Sequence, residues 1–398
     1  MRSAMPGSRI TALGHHQPTR VLTNDDLATM VDTSDEWIRR RTGIATRRIA
    51  APDESVTDMA AAAAGKALAA SGLEPADIGL ITVATCTAVD RCPSIAAQVA
   101  ERLGLPSPVA FDLNNGCAGF CTALACADHS IRAGAARHAL VIGAEKMSDV
   151  TDWTDRRSCV LLGDGAGAAV LSASADAGIG PVCWGSDPTR GDAVRLVDDW
   201  HPRFAQEGQT VFRWATGELP AIAREACARA GLEPAELAGV VTHQANLRII
   251  DAVVRQLGLA ESAVIAHDVV ESGNTSAASV PLALSKLTER GELRTGAPGP
   301  APRLRRRTVL GRPGHHLPLT RYRRVRGTAA PAPARRRGPG AAPRHRSVFA
   351  PLGGRAARWF SERFSRTRAR SNARERMRLQ SASSTRCMRR TEASSTPR

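Results

Sequence analysis

One stretch of this chain occurs twice. Ser71 to Ala88 reads SGLEPADIGLITVATCTA, and Ala230 to Leu247 reads AGLEPAELAGVVTHQANL, matching in order and register. Each copy follows an Ala-rich segment with helical character and enters an apolar run with strand character. A unit repeated about half the patterned length apart points to a duplicated α/β architecture. Alternating units of this kind imply a layered α/β fold with buried sheets.

The segments between the copies fit that frame. Val56 to Ser71 reads as a helix, Ile78 to Thr85 as a buried strand, Ala118 to Ala133 as a helix and His138 to Ala144 as a strand. Val160 to Leu162 and Ala168 to Ser172 flank GDGAG, Gly163 to Gly167, which superficially matches a dinucleotide-binding loop. A further β-like run follows it where a nucleotide loop requires a helix, so the spacing predicts strand, turn and strand. The two halves are drawn at 1–173 and 174–298.

Beyond residue 298 the pattern ends. Residues 299–398 hold 27 Arg, no Lys and three acids, a net +24, so the preceding 298 residues carry −8 of the chain's +16. The tail is rich in Pro, Gly and Arg, without helical or strand period, and its composition predicts a disordered, basic segment. Such a tail would bind nucleic acid incidentally. Its aromatics do not alternate with its basic residues, so the chain is not read as a nucleic-acid-binding protein. The nine cysteines are scattered with no C-x-x-C spacing, which indicates neither a disulfide framework nor a zinc site. No run has signal-peptide or membrane-spanning character, so a reducing cytoplasm and no membrane association are expected.

The chemistry centres on FDLNNGCAGF, Phe111 to Phe120. The pattern is a strand end, a turn of two Asn and a Gly, and then Cys117 as the first residue of a helix. A cysteine at a helix N-terminus has unpaired N–H groups beneath its sulfur, which lowers its pKa from about 8.5 to roughly 3.5–7.5. The expectation is a thiolate nucleophile. His243 ends the strand of the second repeat copy, and ligands gather at the carboxyl ends of strands in such sheets.

Residues Ile10 to Arg294 resemble the β-ketoacyl-acyl-carrier-protein synthases III, condensing enzymes of the thiolase superfamily. The strings that carry the resemblance are VDTSDEWIRRRTGI (Val31 to Ile44), the Cys117 turn, TDRRSCVLLGDGAGAAVL (Thr154 to Leu171), THQANLRII (Thr242 to Ile250) and SGNTSAASVPLAL (Ser272 to Leu284). The resemblance implies a thiolase-like fold with two duplicated halves in an αβαβα core. It also implies a decarboxylating condensation of an acyl-CoA with malonyl-acyl-carrier protein, in fatty-acid initiation or polyketide priming. Its catalytic set maps onto Cys117, His243 and Asn274. Cys117 forms an acyl-enzyme, while His243 and the Asn274 amide donate to the oxygen on which enolate charge develops. Acyl-CoA and malonyl-acyl-carrier protein are substrates, and no metal or redox cofactor is called for.

By the same resemblance, Trp37 and Arg156 sandwich the CoA adenine, with Thr33 and Arg41 as neighbours. Arg213, Arg248, Gln244 and Asn246 face the carrier protein. Cys92 falls where acetyl-using relatives have a Phe that reaches the acyl pocket across a homodimer interface. A small side chain there predicts room for larger primers. An acyltransferase of the same fold that does not condense is the competing reading. Such relatives tend to replace the Asn with a carboxylate, so Asn274 favours condensation.

The family closes its second half with a strand, a Gly-Phe-Gly-Gly-Gly turn and a final strand. The turn supplies one oxyanion donor. This chain stops matching at Pro298. Synonymous codons exist for Gly299 to Pro313 that, read one nucleotide later, give Val-Leu-Leu-Leu-Gly-Phe-Gly-Gly-Gly-Leu-Ser-Trp-Ala-Gly. The tail is therefore read as an out-of-frame translation, and the second half as lacking its last strands. The chain as written is expected to be weakly active or an inactive truncated homologue.

Overall fold

The computed structural model describes residues 7–90, 92–175, 177–198, 201–293 and 308–310. The first half opens with β1 (Gly7–His16), the short pair β2 (Arg20–Thr23) and β3 (Thr46–Ile49), and the intervening helices α1 (Asn24–Ala28) and α2 (Asp35–Thr42). Then come α3 (Val56–Ser71), β4 (Leu80–Ala84), α4 (Ile95–Arg102), β5 (Val109–Leu113), α5 (Gly119–Arg132), β6 (His138–Lys146) and β7 (Asp164–Ser174). The second half contains the hairpin β8 (Val194–Val197) and β9 (Arg203–Gln206), α6 (Gly208–Arg229), β10 (Gly239–Val241), α7 (Leu247–Arg255), β11 (Val264–Ile265), α8 (Val269–Ser272), α9 (Ser279–Glu289) and β12 (Thr308–Leu310).

Local chemistry sets the boundaries of the repeat. The Ser55 hydroxyl accepts from the Asp58 N–H while the Asp58 carboxylate accepts from the Ser55 N–H, a reciprocal cap that starts α3. Each Glu-Pro turn of the repeat is a single turn of 3-10 helix, in which the Asp77 carboxylate accepts from the Glu74 N–H in the first copy and the Glu236 carboxylate from the Glu233 N–H in the second. Each leads into a buried strand, β4 or β10. The repeat is thus structural as well as sequential.

Two sheets form. One has the order β1-β7-β6-β4-β5, with β4 parallel to β5 and β6, and β7 antiparallel to β1 and β6. The other has the order β11-β10-β12, all parallel. Successive residues of the first sheet enter different cores. Ile81, Val83, Leu140, Ile142 and Val170 pack with Met59, Ala60, Ala63 and Ala67 of α3. Leu80, Ala84, Ala139, Val141 and Leu171 pack instead with Phe120, Leu124 and Ile131 of α5 and Val280, Ala283 and Leu287 of α9. Val241 of β10 joins that second core, whereas Val240 faces Ala223, Ala226 and Val253 of α6 and α7. This two-sided burial is what near-continuous apolar strands require. The layers are therefore α3 with α4, the five-stranded sheet, α5 with α9, the three-stranded sheet, and α6 with α7. The αβαβα order implied by the resemblance is present.

Two local expectations are corrected. GDGAG is no turn between strands: Asp164 begins one continuous strand, β7, and Val160 and Leu161 lie in the preceding turns. The glycines serve close approach, since a Cβ on Gly167 would sit 2.5 Å from the Leu282 nitrogen of α9. The second correction concerns the tail. Thr308–Leu310 pairs in parallel with Gly239–Val241, so the second sheet gains an edge strand inside the segment assigned to the tail. A Thr-Val-Leu triplet has strong β propensity, and β10 offers an open edge. The rest of the Arg-rich tail, with the expected disorder, the frame and the nucleic-acid contacts, lies outside the described residues.

Candidate active site

A cavity of about 1100 Å³ opens between the halves of this fold. Cys117, His243 and Asn274 all line it. Cys117 follows β5 and His243 follows β10, so both stand beyond the carboxyl ends of parallel strands, as the sequence predicts. Asn274 comes from the turn between α8 and α9. The hairpin β8–β9 and the start of α6 contribute Val194, Phe204 and Phe212 to the lining.

The two halves build their ends alike. Asn114–Asn115–Gly116–Cys117 leads through a 3-10 turn, Gly116–Ala118, into α5, and Asn274–Thr275–Ser276–Ala277 leads through a 3-10 turn, Ser276–Ala278, into α9. In each, the first Asn accepts through Oδ1 from the backbone N–H two residues on, at 3.2 Å for Gly116 and 2.9 Å for Ser276. That contact fixes the Asn274 amide: its oxygen is occupied, so its NH₂ is the end left to donate. The halves press together here. A Cβ on Gly143 would lie 2.3 Å from the Ala277 carbonyl oxygen, so only glycine in β6 allows this approach.

His243 is held by Ser279, with Nδ1 2.7 Å from its hydroxyl oxygen. That oxygen accepts the Gln244 N–H at 3.3 Å, and among the described residues its hydrogen has no acceptor other than Nδ1. The ring proton therefore sits on Nε2. Burial lowers the pKa of His243 to about 4, so the imidazole is neutral across the physiological range. A neutral donor suits a site where negative charge appears only during reaction.

The expected Cys117 thiolate is not found. The α-helix begins two residues later, at Gly119, and burial pushes the thiol up to about 11. A hydrogen bond from Ser276 lowers it and the nearby Glu145 carboxylate raises it, both less than burial does. Burial and the neighbouring Glu145 carboxylate both disfavour the thiolate.

Glu145, at the end of β6, was not singled out from the sequence. It is fully buried, and its two oxygens accept from the Thr85, Thr87 and Ser276 hydroxyls, the Cys86 and Thr87 N–H groups and the Cys86 thiol. Burial raises its pKa. An acid at the end of an apolar strand run was the available signal. For Ser276 and Ser279 the signal was the position-for-position match of NNGCAG with NTSAAS.

Trp37, Arg41 and Arg156 line the cavity mouth together. The Arg156 guanidinium lies 4.7 Å from the Trp37 ring centroid and that of Arg41 5.3 Å, so the tryptophan is already stacked. Arg156 is held by the Asp32 carbonyl at 2.6 Å and its carboxylate at 3.3 Å, while Asp155 pairs with Arg157 instead. An adenine between Trp37 and Arg156 requires the arginine to swing outward. Thr33 does not line the cavity, and its hydroxyl is buried with no partner among the described residues. Arg213 and Arg248 are exposed at the cavity edge, with the Arg248 guanidinium 5.2 Å from the Phe212 centroid.

Two placements differ from expectation. Gln244 is fully buried, donating to the Thr242 carbonyl and accepting from the Val269 N–H, which removes it from any carrier-protein surface. Its amide joins two loops instead. Asn246 lines the cavity but caps α7, accepting the Arg248 N–H and donating to the Arg41 carbonyl. Cys92 is exposed and does not line the cavity of its own chain. Among the described residues no cluster of His, Cys, Asp and Glu could hold a metal ion, and no helix is long and apolar enough to cross a membrane.

Known proteins share this sequence and fold. Residues 111–188 match the family model of 3-oxoacyl-[acyl-carrier-protein] synthase III, and residues 227–299 match the model of its C-terminal domain. A Streptomyces coelicolor protein named β-ketoacyl-[acyl-carrier-protein] synthase III 4 is 66% identical over 295 residues, 73% of this chain and 93% of that protein. The chain belongs to the β-ketoacyl-acyl-carrier-protein synthase III family. A second family member, synthase III 2 of Streptomyces avermitilis, is 66% identical over 297 residues, 74% of this chain and 94% of that protein. Among solved structures of the family's fold, the priming β-ketosynthase of the R1128 polyketide pathway superposes with a TM-score of 0.75 at 38% identity, covering 80% of this chain and 97% of that one. The Aquifex aeolicus synthase III gives 0.73 at 38% identity, covering 79% and 100%. The C-terminal family match ends at residue 299, where the strand and helix pattern of the sequence also ends.

Proposed function

We propose that this chain condenses an acyl-CoA primer with malonyl-acyl-carrier protein, losing CO₂ and giving a β-ketoacyl-acyl-carrier protein, as the first condensation of fatty-acid or polyketide synthesis. The observation that carries this reading is the convergence of Cys117, His243 and Asn274 on one cavity. Cys117 attacks the primer thioester and CoA leaves, so one difficult transfer becomes two easier ones. The malonyl thioester then enters. His243 Nε2–H and the Asn274 NH₂ group donate to its carbonyl oxygen as CO₂ departs, and the enolate carbon attacks the acyl group on Cys117. Both donors are fixed in advance by neighbours, Ser279 and the Ser276 N–H, which is what makes such donors effective.

Entry suits an anionic thioester. Arg41, Arg156, Arg157, Arg213 and Arg248 line the mouth, and the CoA phosphates and the acidic carrier protein are complementary to them. Trp37 offers the ring face for the adenine. The reading calls for no metal or redox cofactor, a homodimer in which Cys92 faces the partner's acyl pocket, and a cytoplasmic location. A direct test incubates the protein with acyl-CoA and malonyl-acyl-carrier protein and measures CO₂ and β-ketoacyl product together. Acyl transfer to the carrier without CO₂ would favour the non-condensing acyltransferase instead.

A further inference from the structure

Glu145 is fully buried at the end of β6, and the proposed condensation gives it no part. Val141, Gly143 and Glu145 alternate along that strand onto one face, the face toward α9. Val141 shares a core with Val280, and Gly143 admits the Ala277 carbonyl, so Glu145 stands against the turn that enters α9. Its Oε2 accepts from the residues after β4: the Cys86 and Thr87 N–H groups at 3.0 and 3.1 Å, and the Thr87 and Thr85 hydroxyls at 2.7 and 3.2 Å. Its Oε1 accepts from the Ser276 hydroxyl at 3.0 Å, the Cys86 thiol at 3.3 Å and the Ala277 N–H at 3.4 Å. The carboxylate thus ties the end of β4 in the first half to the entrance of α9 in the second.

Ser276 carries the connection onward. Its N–H donates to Asn274 Oδ1 at 2.9 Å, the contact that leaves the Asn274 NH₂ group free to donate. Ser276 stands in an unusual backbone, with φ +47°, at the position where the first half has Gly116 at φ +50°. A serine is strained where the duplicated unit uses glycine, and strain of this kind is kept where the side chain is needed. What the serine adds over glycine is one hydroxyl, and that hydroxyl is given to Glu145 Oε1.

We propose that Glu145 and the Ser276 hydroxyl position Asn274. The carboxylate holds Ser276 in its left-handed backbone, and the Ser276 N–H held there keeps the Asn274 NH₂ group turned toward the malonyl thioester oxygen. This rests on the reading of Asn274 as an enolate donor. In this role neither Glu145 nor Ser276 gives or takes a proton. The main chain of Asn274 is placed by other bonds: its N–H donates to the Leu161 carbonyl at 2.8 Å, and its carbonyl accepts the Gly163 N–H at 3.1 Å. Those bonds fix where Asn274 stands and leave the direction of its amide to the Ser276 N–H. A donor of this kind works when its direction is set before charge develops. A hydroxyl bonded to a carboxylate is among the stronger tethers for the purpose.

The test begins with the full chain acylated to completion by acyl-CoA, as read by intact mass, so that any effect on the Cys117 thiol drops out. Malonyl-acyl-carrier protein is then added, and the rate of CO₂ release is measured against its concentration. Ser276→Gly suits the left-handed backbone and removes only the tether, so kcat falls about tenfold while KM stays within about twofold. Glu145→Gln lowers kcat in the same way, because its NH₂ group meets a backbone N–H on whichever side it lies, that of Ala277 or those of Cys86 and Thr87. If Glu145→Gln fails to fold, Ser276→Gly carries the test. Action through Asn274 has its own signature: in an Asn274→Ala background, Ser276→Gly costs less than about twofold further. Wild-type kcat in Ser276→Gly overturns the proposal, as does a loss of about tenfold that persists in the Asn274→Ala background. Wild-type CO₂ release by Asn274→Ala alone overturns the enolate-donor reading beneath it instead.

Discussion

Replacing His243 with Gln should change how stability depends on pH, by an amount the structure sets. Burial lowers the His243 pKa from 6.5 to about 4. As pH falls, the unfolded chain takes up this proton first, at its ordinary pKa, while the folded chain resists it. Stability is therefore unpenalised above pH 6.5, is lost progressively as pH falls from 6.5 to about 4, and levels off below. The fall from 6.5 to about 4 corresponds to roughly 3 kcal/mol, and because the ring meets cavity water the working figure is about 2–3 kcal/mol. Urea unfolding of wild type and His243→Gln, compared at neutral and acidic pH, reads the difference directly. Other titrating groups are common to both chains and cancel. The wild type should lose about 2–3 kcal/mol relative to the variant on acidification. A difference that stays flat, or that favours the wild type at low pH, would refute the buried neutral imidazole.

Ser279→Ala should leave acylation of Cys117 intact but slow malonyl decarboxylation about fivefold, the worth of one oriented hydrogen bond of about 1 kcal/mol; isotopic CO₂ release against acyl mass separates the two. On the proposed dimer, with the small Cys92 facing the partner's acyl pocket, primers of about four to six carbons should react at least as well as acetyl-CoA, and a strong kinetic preference for acetyl would count against it. Shifting the reading frame at Gly299 should give a more soluble enzyme. It should gain about 100-fold or more in condensation, the worth of one restored oxyanion donor. Full activity in the 398-residue chain, with a genomic sequence that confirms the frame, would contradict that.

The duplicated architecture was legible because its signal is local. The two Glu-Pro turns recur in the same register, each ahead of a buried strand, and the helix Val56–Ser71 carries its own caps. That Cys117, His243 and Asn274 meet at one cavity was legible through motif context. What stayed hidden depends on contacts across the molecule. Nothing near Cys117 in sequence announces Glu145, which arrives from β6 and helps to reverse the expected fall in the thiol's pKa. Gln244 sits beside His243 in sequence, yet its side chain turns inward to the start of α8. GDGAG looked like a turn because glycine is ambiguous, and only the approach of α9 explains it as strand. A three-residue edge strand at Thr308–Leu310 is too short to stand out from an Arg-rich background.

The central claim is that one cavity acylates Cys117 and then discharges it by decarboxylating condensation. The most direct measurement loads the protein with isotopically labelled acyl-CoA, maps the label by peptide mass, and then adds malonyl-acyl-carrier protein. The label should sit on the Cys117 peptide and move to a β-ketoacyl-carrier product, with one CO₂ released per label transferred. Cys117→Ala should carry no label, and Asn274→Ala should load but fail to discharge. Label on another residue, or condensation in Cys117→Ala, would contradict the account.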